Sequence, residues 1–170
     1  MTHRALLLFR FRHFAVRCVS VLLAAAALAA PMAASAQDAD PPGRVAYLNY
    51  RQGTLSVSPS GDNSWYESET NRPLVQGDRL WTDRHARAEL HVGDIAVRMD
   101  EQTQLEISEL DDRTLRLTLQ QGRAQLRLRG DASGEQERVE LGTGNVAVVL
   151  RAPGDYRVQA DPQADSTQVM

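Results

Sequence analysis

From Arg44 onward, apolar residues recur at every second position, the period of strands with one buried face rather than of helices. Ala88, Leu90 and Val92 alternate with Arg87, Glu89 and His91; Gly93-Asp94 interrupts, and Ile95, Val97 and Met99 resume against Ala96, Arg98 and Asp100. This predicts a hairpin closed by a two-residue turn with glycine first. Leu115, Leu117 and Leu119, then Gln121-Gly122, then Ala124, Leu126 and Leu128 predict a second hairpin. Val139 and Leu141, the turn cluster Gly142 to Asn145, and Val146, Val148 and Leu150 predict a third. Pro153-Gly154-Asp155 then turns the chain into Tyr156, Val158 and Ala160.

Near the start, Val45 to Tyr50 and Leu55 to Val57 flank Gly53 and read as an opening pair of strands, followed by the polar loop Ser58 to Asn63. Mixed spacing from Asp100 to Leu110 admits a short helical turn, the one place where strand alternation lapses. The reading is all-β with little helix: about ten short strands forming an antiparallel sandwich or a short solenoid-like stack. Arg87 to Val92 and Arg123 to Leu128 share the pattern R-A-polar-L-polar-apolar at a separation of 36 residues, which leaves solenoid stacking open. The strand domain is expected over 44–161. Residues 162–170 form a tail, and Ser166 to Met170 read as the start of a further, truncated strand.

Composition divides the chain. Residues 1–36 hold 26 of 72 apolar residues, all three Phe, the only Cys, four Arg and no acid. Arg4, Arg10, Arg12 and Arg17 precede the run Val19 to Ala30, and Ala34-Ser35-Ala36 offers a cleavage site, which is the three-part pattern of a secretory signal. Twelve residues make a helix of about 18 Å, short of the roughly 30 Å hydrocarbon core, so no stable membrane span is expected once the signal is cleaved near Ala36. A mobile leader is expected over 37–43, and a periplasmic or secreted location follows. The remaining 134 residues carry 15 Arg against 22 acids, a net charge of −7, which argues against a nucleic-acid partner.

At Gly77-Asp78-Arg79-Leu80-Trp81-Thr82, continuing through Arg87-Ala88-Glu89-Leu90, the chain resembles FecR-type extracytoplasmic domains, which carry a G-D-x-L-x-T segment, an R-A-x-L strand and a short Gly turn. Leu119-Gln120-Gln121-Gly122-Arg123 is similar to the family's L-x-x-G-x element, and Val146 to Val158 to its last strand pair. The resemblance spans about Arg44 to Asp161, and the opening Pro41 to Val45 and the ending Arg151 to Val158 are also similar to a secreted, functionally uncharacterised subgroup of the family. It implies an all-β periplasmic module. Family regulators relay signals through a cytoplasmic segment and a spanning helix, whereas a cleaved signal peptide here would leave nothing to reach a cytoplasmic sigma factor. The fold therefore transfers more readily than the signalling role.

Candidate chemistry is sparse. His85, His91 and Glu89 offer ligand types for zinc, but the polar side of an alternating strand favours solvated residues. Six acids between Asp100 and Asp112 match no calcium loop and read as a solvated edge. No nucleophile motif stands out, so neither a catalytic site nor a cofactor is expected. Trp65, Tyr66 and Trp81 serve either as core or as an aromatic recognition patch. Arg123, Arg127 and Arg129, with Arg116 opposite, serve either as a charge ladder or as a partner surface. The expectation is a non-enzymatic module that binds an envelope protein through a sheet face or edge strand, with carbohydrate or peptidoglycan association as the alternative.

Overall fold

Alternation sets the architecture in the computed structural model, which describes residues 44–129 and 138–170. Those residues form thirteen strands and no helix. In chain order they are β1 (Ala46–Gln52), β2 (Leu55–Ser58), β3 (Tyr66–Glu67), β4 (Pro73–Leu74), β5 (Arg79–Thr82), β6 (Arg87–Val92) and β7 (Ile95–Met99). There follow β8 (Thr103–Leu110), β9 (Thr114–Leu128), β10 (Arg138–Gly142), β11 (Ala147–Leu150), β12 (Gly154–Asp161) and β13 (Ser166–Val169). The expected signal peptide over 1–36 and leader over 37–43 lie outside the described residues. No helix of the described residues is long and apolar enough to cross a membrane.

The strands make one continuous curled sheet rather than the separate layers of a sandwich or the stacked turns of a solenoid. One wall runs β3-β2-β5-β8 to the first half of β9, with β10 and β11 beyond. The other runs β4-β1-β6-β7 to the second half of β9, with β12 and β13 beyond. Every pairing is antiparallel except β9 with β10. Both walls feed one core: Leu48, Leu90, Val97 and Leu126 from the second join Leu55, Leu80, Leu105 and Leu117 from the first, all at most 1% exposed.

The β6–β7 hairpin has the expected register, Val92 facing Ile95 across Gly93-Asp94, with φ 57° at Gly93. The β10–β11 hairpin also forms, and Tyr156 to Ala160 lie in β12. The predicted second hairpin does not exist. Leu115 to Leu128 is a single strand, β9, and Gln121-Gly122 marks an irregularity within it. Inward residues change there from odd to even positions, Leu119 to Ala124, as an inserted bulge residue requires. Nor are β1 and β2 a pair: β1 pairs with β4 and β6, β2 with β3 and β5. Gly53, at φ 71° and against Ala86, passes the chain from one wall to the other. The helical turn admitted within Asp100 to Leu110 is also absent. Thr103 to Leu110 is strand β8, and its spacing is mixed because the register skips Ser108.

The R-A-x-L repeat takes a form that periodicity alone does not suggest. β6 and the end of β9 flank β7 in the same register, so Met99 faces Ala88 and Ala124, Val97 faces Leu90 and Leu126, and Ile95 faces Val92 and Leu128. The repeat is two equivalent neighbours of one strand, not two stacked turns. Ser166 to Val169 completes the edge of this wall as β13, paired with β12.

Candidate functional site

The predicted aromatic residues fall on the first wall, whereas the basic ones are split between the two. Trp81 lies on β5, in register with Ser56 and Gln104, and is half-buried. Trp65 holds the Arg79 guanidinium 5.6 Å from its ring centroid. That guanidinium also donates to Ser58 Oγ and the Asp62 carbonyl, each at 2.8 Å. The Tyr66 hydroxyl donates to Asp62 Oδ2 at 3.0 Å. The Ser64 amide and Tyr66 together hold the Asp62 carboxyl below its usual range. Trp65 and Tyr66 thus clasp the Ser58 to Asn63 loop, with stacking on Arg79 as the lid.

The basic stripe is divided along β9. Arg116 lies on the first wall, bonded to Glu109 at 2.5 Å and 3.4 Å from Glu140, which is a cross-strand charge ladder. Arg123 lies on the second wall, where it and Arg87 approach Asp100 from opposite sides at 3.3 and 3.4 Å. These two arginines open the two copies of the repeat, so the repeat's symmetry about β7 places Asp100 between them. The side chains of Arg127 and Arg129 have no partner among the described residues.

His85 and His91 do not converge. His85 sits in the turn before β6, with Nδ1 at 3.3 Å from Glu101, whereas His91 Nε2 lies 2.6 Å from Glu89. Glu89 also accepts from Arg98 Nε at 2.6 Å. Among the described residues no group of three His, Cys, Asp or Glu is placed to hold a metal ion. The acids from Asp100 to Asp112 are dispersed: Asp100 and Glu109 meet arginines, Glu101 meets His85, and Asp111 caps a turn by accepting from the Arg113 and Thr114 amides.

Glu89 gives this wall a pH dependence. Partial burial pushes its carboxyl up, but hydrogen bonds from His91 and Arg98, and their charges, outweigh that and hold it below its ordinary 4.5. A carboxyl whose pKa falls on folding stabilises the native state above the unfolded value and loses that contribution as pH drops through the folded one. Glu89→Gln is therefore expected to be destabilising at neutral pH by urea unfolding, and the deficit should shrink once the pH falls well below 4.5. A deficit constant with pH would mean the loss is one of packing.

Several surface residues were not picked out from the sequence. A register shift after Leu48 in β1 turns both Tyr47 and Tyr50 outward, each 51% exposed. With Arg87, Arg98, Arg123, Gln125 and Arg157, Tyr50 lines a groove of about 410 Å³ on the outer face of the second wall. The doubled R-A-x-L string was the available signal, since it marks the strands that flank β7. On the first wall, β11 pairs only with β10 among the described residues, and its other edge is open. Val149 in β11 and Val146 just before it are 39% and 41% exposed. No protein-family model, curated protein or solved structure matches this chain.

Proposed function

We propose that the chain is an exported, FecR-like β module that acts by binding rather than catalysis, and that its partner is an envelope protein contributing an extended segment to the open edge of β11. The carrying observation is the chemistry of that edge. Proteins normally blunt exposed strand edges by shortness, proline or charge. The edge strands β3 and β4 are each two residues long, and β4 begins with Pro73. β11 carries neither proline nor charge, and of the two four-residue edge strands it is the more apolar, Ala147-Val148-Val149-Leu150 against Ser166-Thr167-Gln168-Val169 in β13. An added strand would take up its free backbone groups, with Val149 facing the incoming side chains. The alternative, glycan stacking on Trp65 and Trp81, is weakened because Arg79 already stacks on Trp65.

Export rests on the pattern of residues 1–36, and the FecR likeness on the Gly77 to Leu90 block. The test is photocrosslinking from position 149 in cells of the native source, with mass spectrometry of the adduct. The expected result is one envelope protein joined through an extended segment, with the adduct lost in Ala147→Arg, an exposed position of β11 that keeps position 149 free for the crosslinker. Capture unchanged by the added arginine, or retention on isolated cell wall without a protein adduct, would overturn the reading, the latter in favour of glycan association.

A further inference from the structure

The outer face of the second wall carries an arrangement independent of the β11 edge. Residues in register on neighbouring strands point to the same side of a sheet, and neighbouring strands lie about 4.8 Å apart. Gln125 on β9 faces Arg98 on β7 and Arg157 on β12. Along its own strand the next outward residues are Arg123 and Arg127. Four arginines therefore surround one neutral amide, across the strands and along them.

Internal pairing leaves this cross under-neutralised. Arg98 is bonded to Glu89, and Arg123 to Asp100 and Gln159. Arg127 is in register with Asp155, but neither its side chain nor that of Arg157 has a partner among the described residues. Gln125 itself makes one long bond, Nε2 to Asp155 Oδ1 at 3.4 Å. Together with Arg87, five arginines share the face with Glu89, Asp100 and Asp155, a surplus of positive charge on a chain whose net charge is −3. A carboxylate at position 125 would be met by cations on four sides, yet the position holds a neutral side chain.

We infer that the arginine cross around Gln125 is a binding site for a phosphate monoester group. A single carboxylate offers one charge and two oxygens, which one guanidinium satisfies bidentately. A phosphate monoester carries nearly two charges at neutral pH and three acceptor oxygens, which several guanidiniums converging from different strands suit better. The Gln125 amide supplies a further donor from beneath. Tyr50 stands at the end of the same register row, Tyr50-Glu89-Arg98-Gln125-Arg157, as a wall for the organic part of the ligand. Two kinds of carrier present this group, a soluble phosphorylated polyol or sugar and a lipid headgroup.

The full chain would be titrated with glycerol phosphate by calorimetry at low ionic strength, and separately with phosphatidylcholine vesicles with and without phosphatidic acid. Saturable binding of glycerol phosphate assigns a soluble ligand; binding only to vesicles containing phosphatidic acid assigns a lipid headgroup. In either case the Arg127→Gln/Arg157→Gln pair should weaken binding by about tenfold or more. Gln125→Glu should abolish binding while raising the melting temperature, because the new carboxylate takes the ligand's place. Absence of saturable binding to both probes, or binding by Gln125→Glu equal to that of the native chain, would overturn the site. Ala147→Arg should leave this binding unchanged, so failure of the β11 reading and failure of this one are distinguishable.

Discussion

Gly122→Ala is expected to destabilise the protein by about 4 kcal/mol or more, enough to leave much of the chain unfolded at equilibrium. Gly122 sits inside β9 at φ 89°, a conformation that costs an L-residue about 1–3 kcal/mol by itself. A Cβ there would also meet Thr103 Cα at 2.6 Å and the Gln102 carbonyl at 2.7 Å. These are backbone atoms and cannot rotate away. Thr103 is moreover pinned, its amide donating to Thr82 Oγ1 at 3.1 Å and its hydroxyl accepting from the Arg123 amide at 3.0 Å. Relief would require parting β8 from β9 at the point where β9 passes between the walls. Gly61→Ala is the matched control: φ is 75° and no atom lies within 4 Å of the added Cβ, so only the conformational cost of about 1–2 kcal/mol is expected. Urea unfolding of both variants reads the difference, and equal losses would show that the Thr103 contact carries none of the effect.

The same glycine shows where the sequence was legible and where it was not. Alternation identified nine of the thirteen strands and passed over β3, β4, β5 and β8; where it succeeds, it does so because the inward face of a single buried surface must be apolar whatever the partner. The β6–β7 hairpin was readable in full, since its turn is local and closes with two residues. Gln121-Gly122 presents the same local signs, alternation on both sides of a glycine, yet the chain continues straight. What decides between turn and bulge is Thr103, nineteen positions earlier, packed against the glycine. Pairing choices such as β1 with β6 rather than β2 depend likewise on distant residues. The candidate surfaces follow this division. Arg123 and Arg127 share a strand and could be grouped from sequence, whereas Arg98 and Arg157 join them only through register across three strands. Trp65, Tyr66 and Trp81 stood out by type, and the partners that engage Trp65 and Tyr66, Arg79 and Asp62, are visible only in three dimensions.

Asp78→Ala is expected to cost about 3 kcal/mol, because it strips two backbone donors of their acceptor in a buried setting. Asp78 is 4% exposed; Oδ1 accepts from the Ser60 amide at 2.9 Å and Oδ2 from the Val75 amide at 3.0 Å. Its own backbone amide donates to the Val75 carbonyl, and its carbonyl accepts from the Ile107 amide, so the residue ties the Ser58 to Asn63 loop and the β4–β5 connection to β8. The neighbours in the G-D-x-L-x-T string have matching duties. Gly77 lies at φ 89° with no room for a Cβ, which would strike the Ser60 side chain, Leu80 is fully buried, and Thr82 Oγ1 donates to the Asp100 carbonyl at 2.5 Å. Asp78→Asn keeps one acceptor oxygen and should lose about half as much as the alanine variant. Unfolding titrations at neutral pH measure both, and an alanine variant as stable as the native chain would mean that solvent reaches the freed amides. If the predicted losses are found, this string contributes to folding rather than to recognition. Function is then better sought at positions the fold leaves unconstrained, the open edge of β11 and the arginines around Gln125.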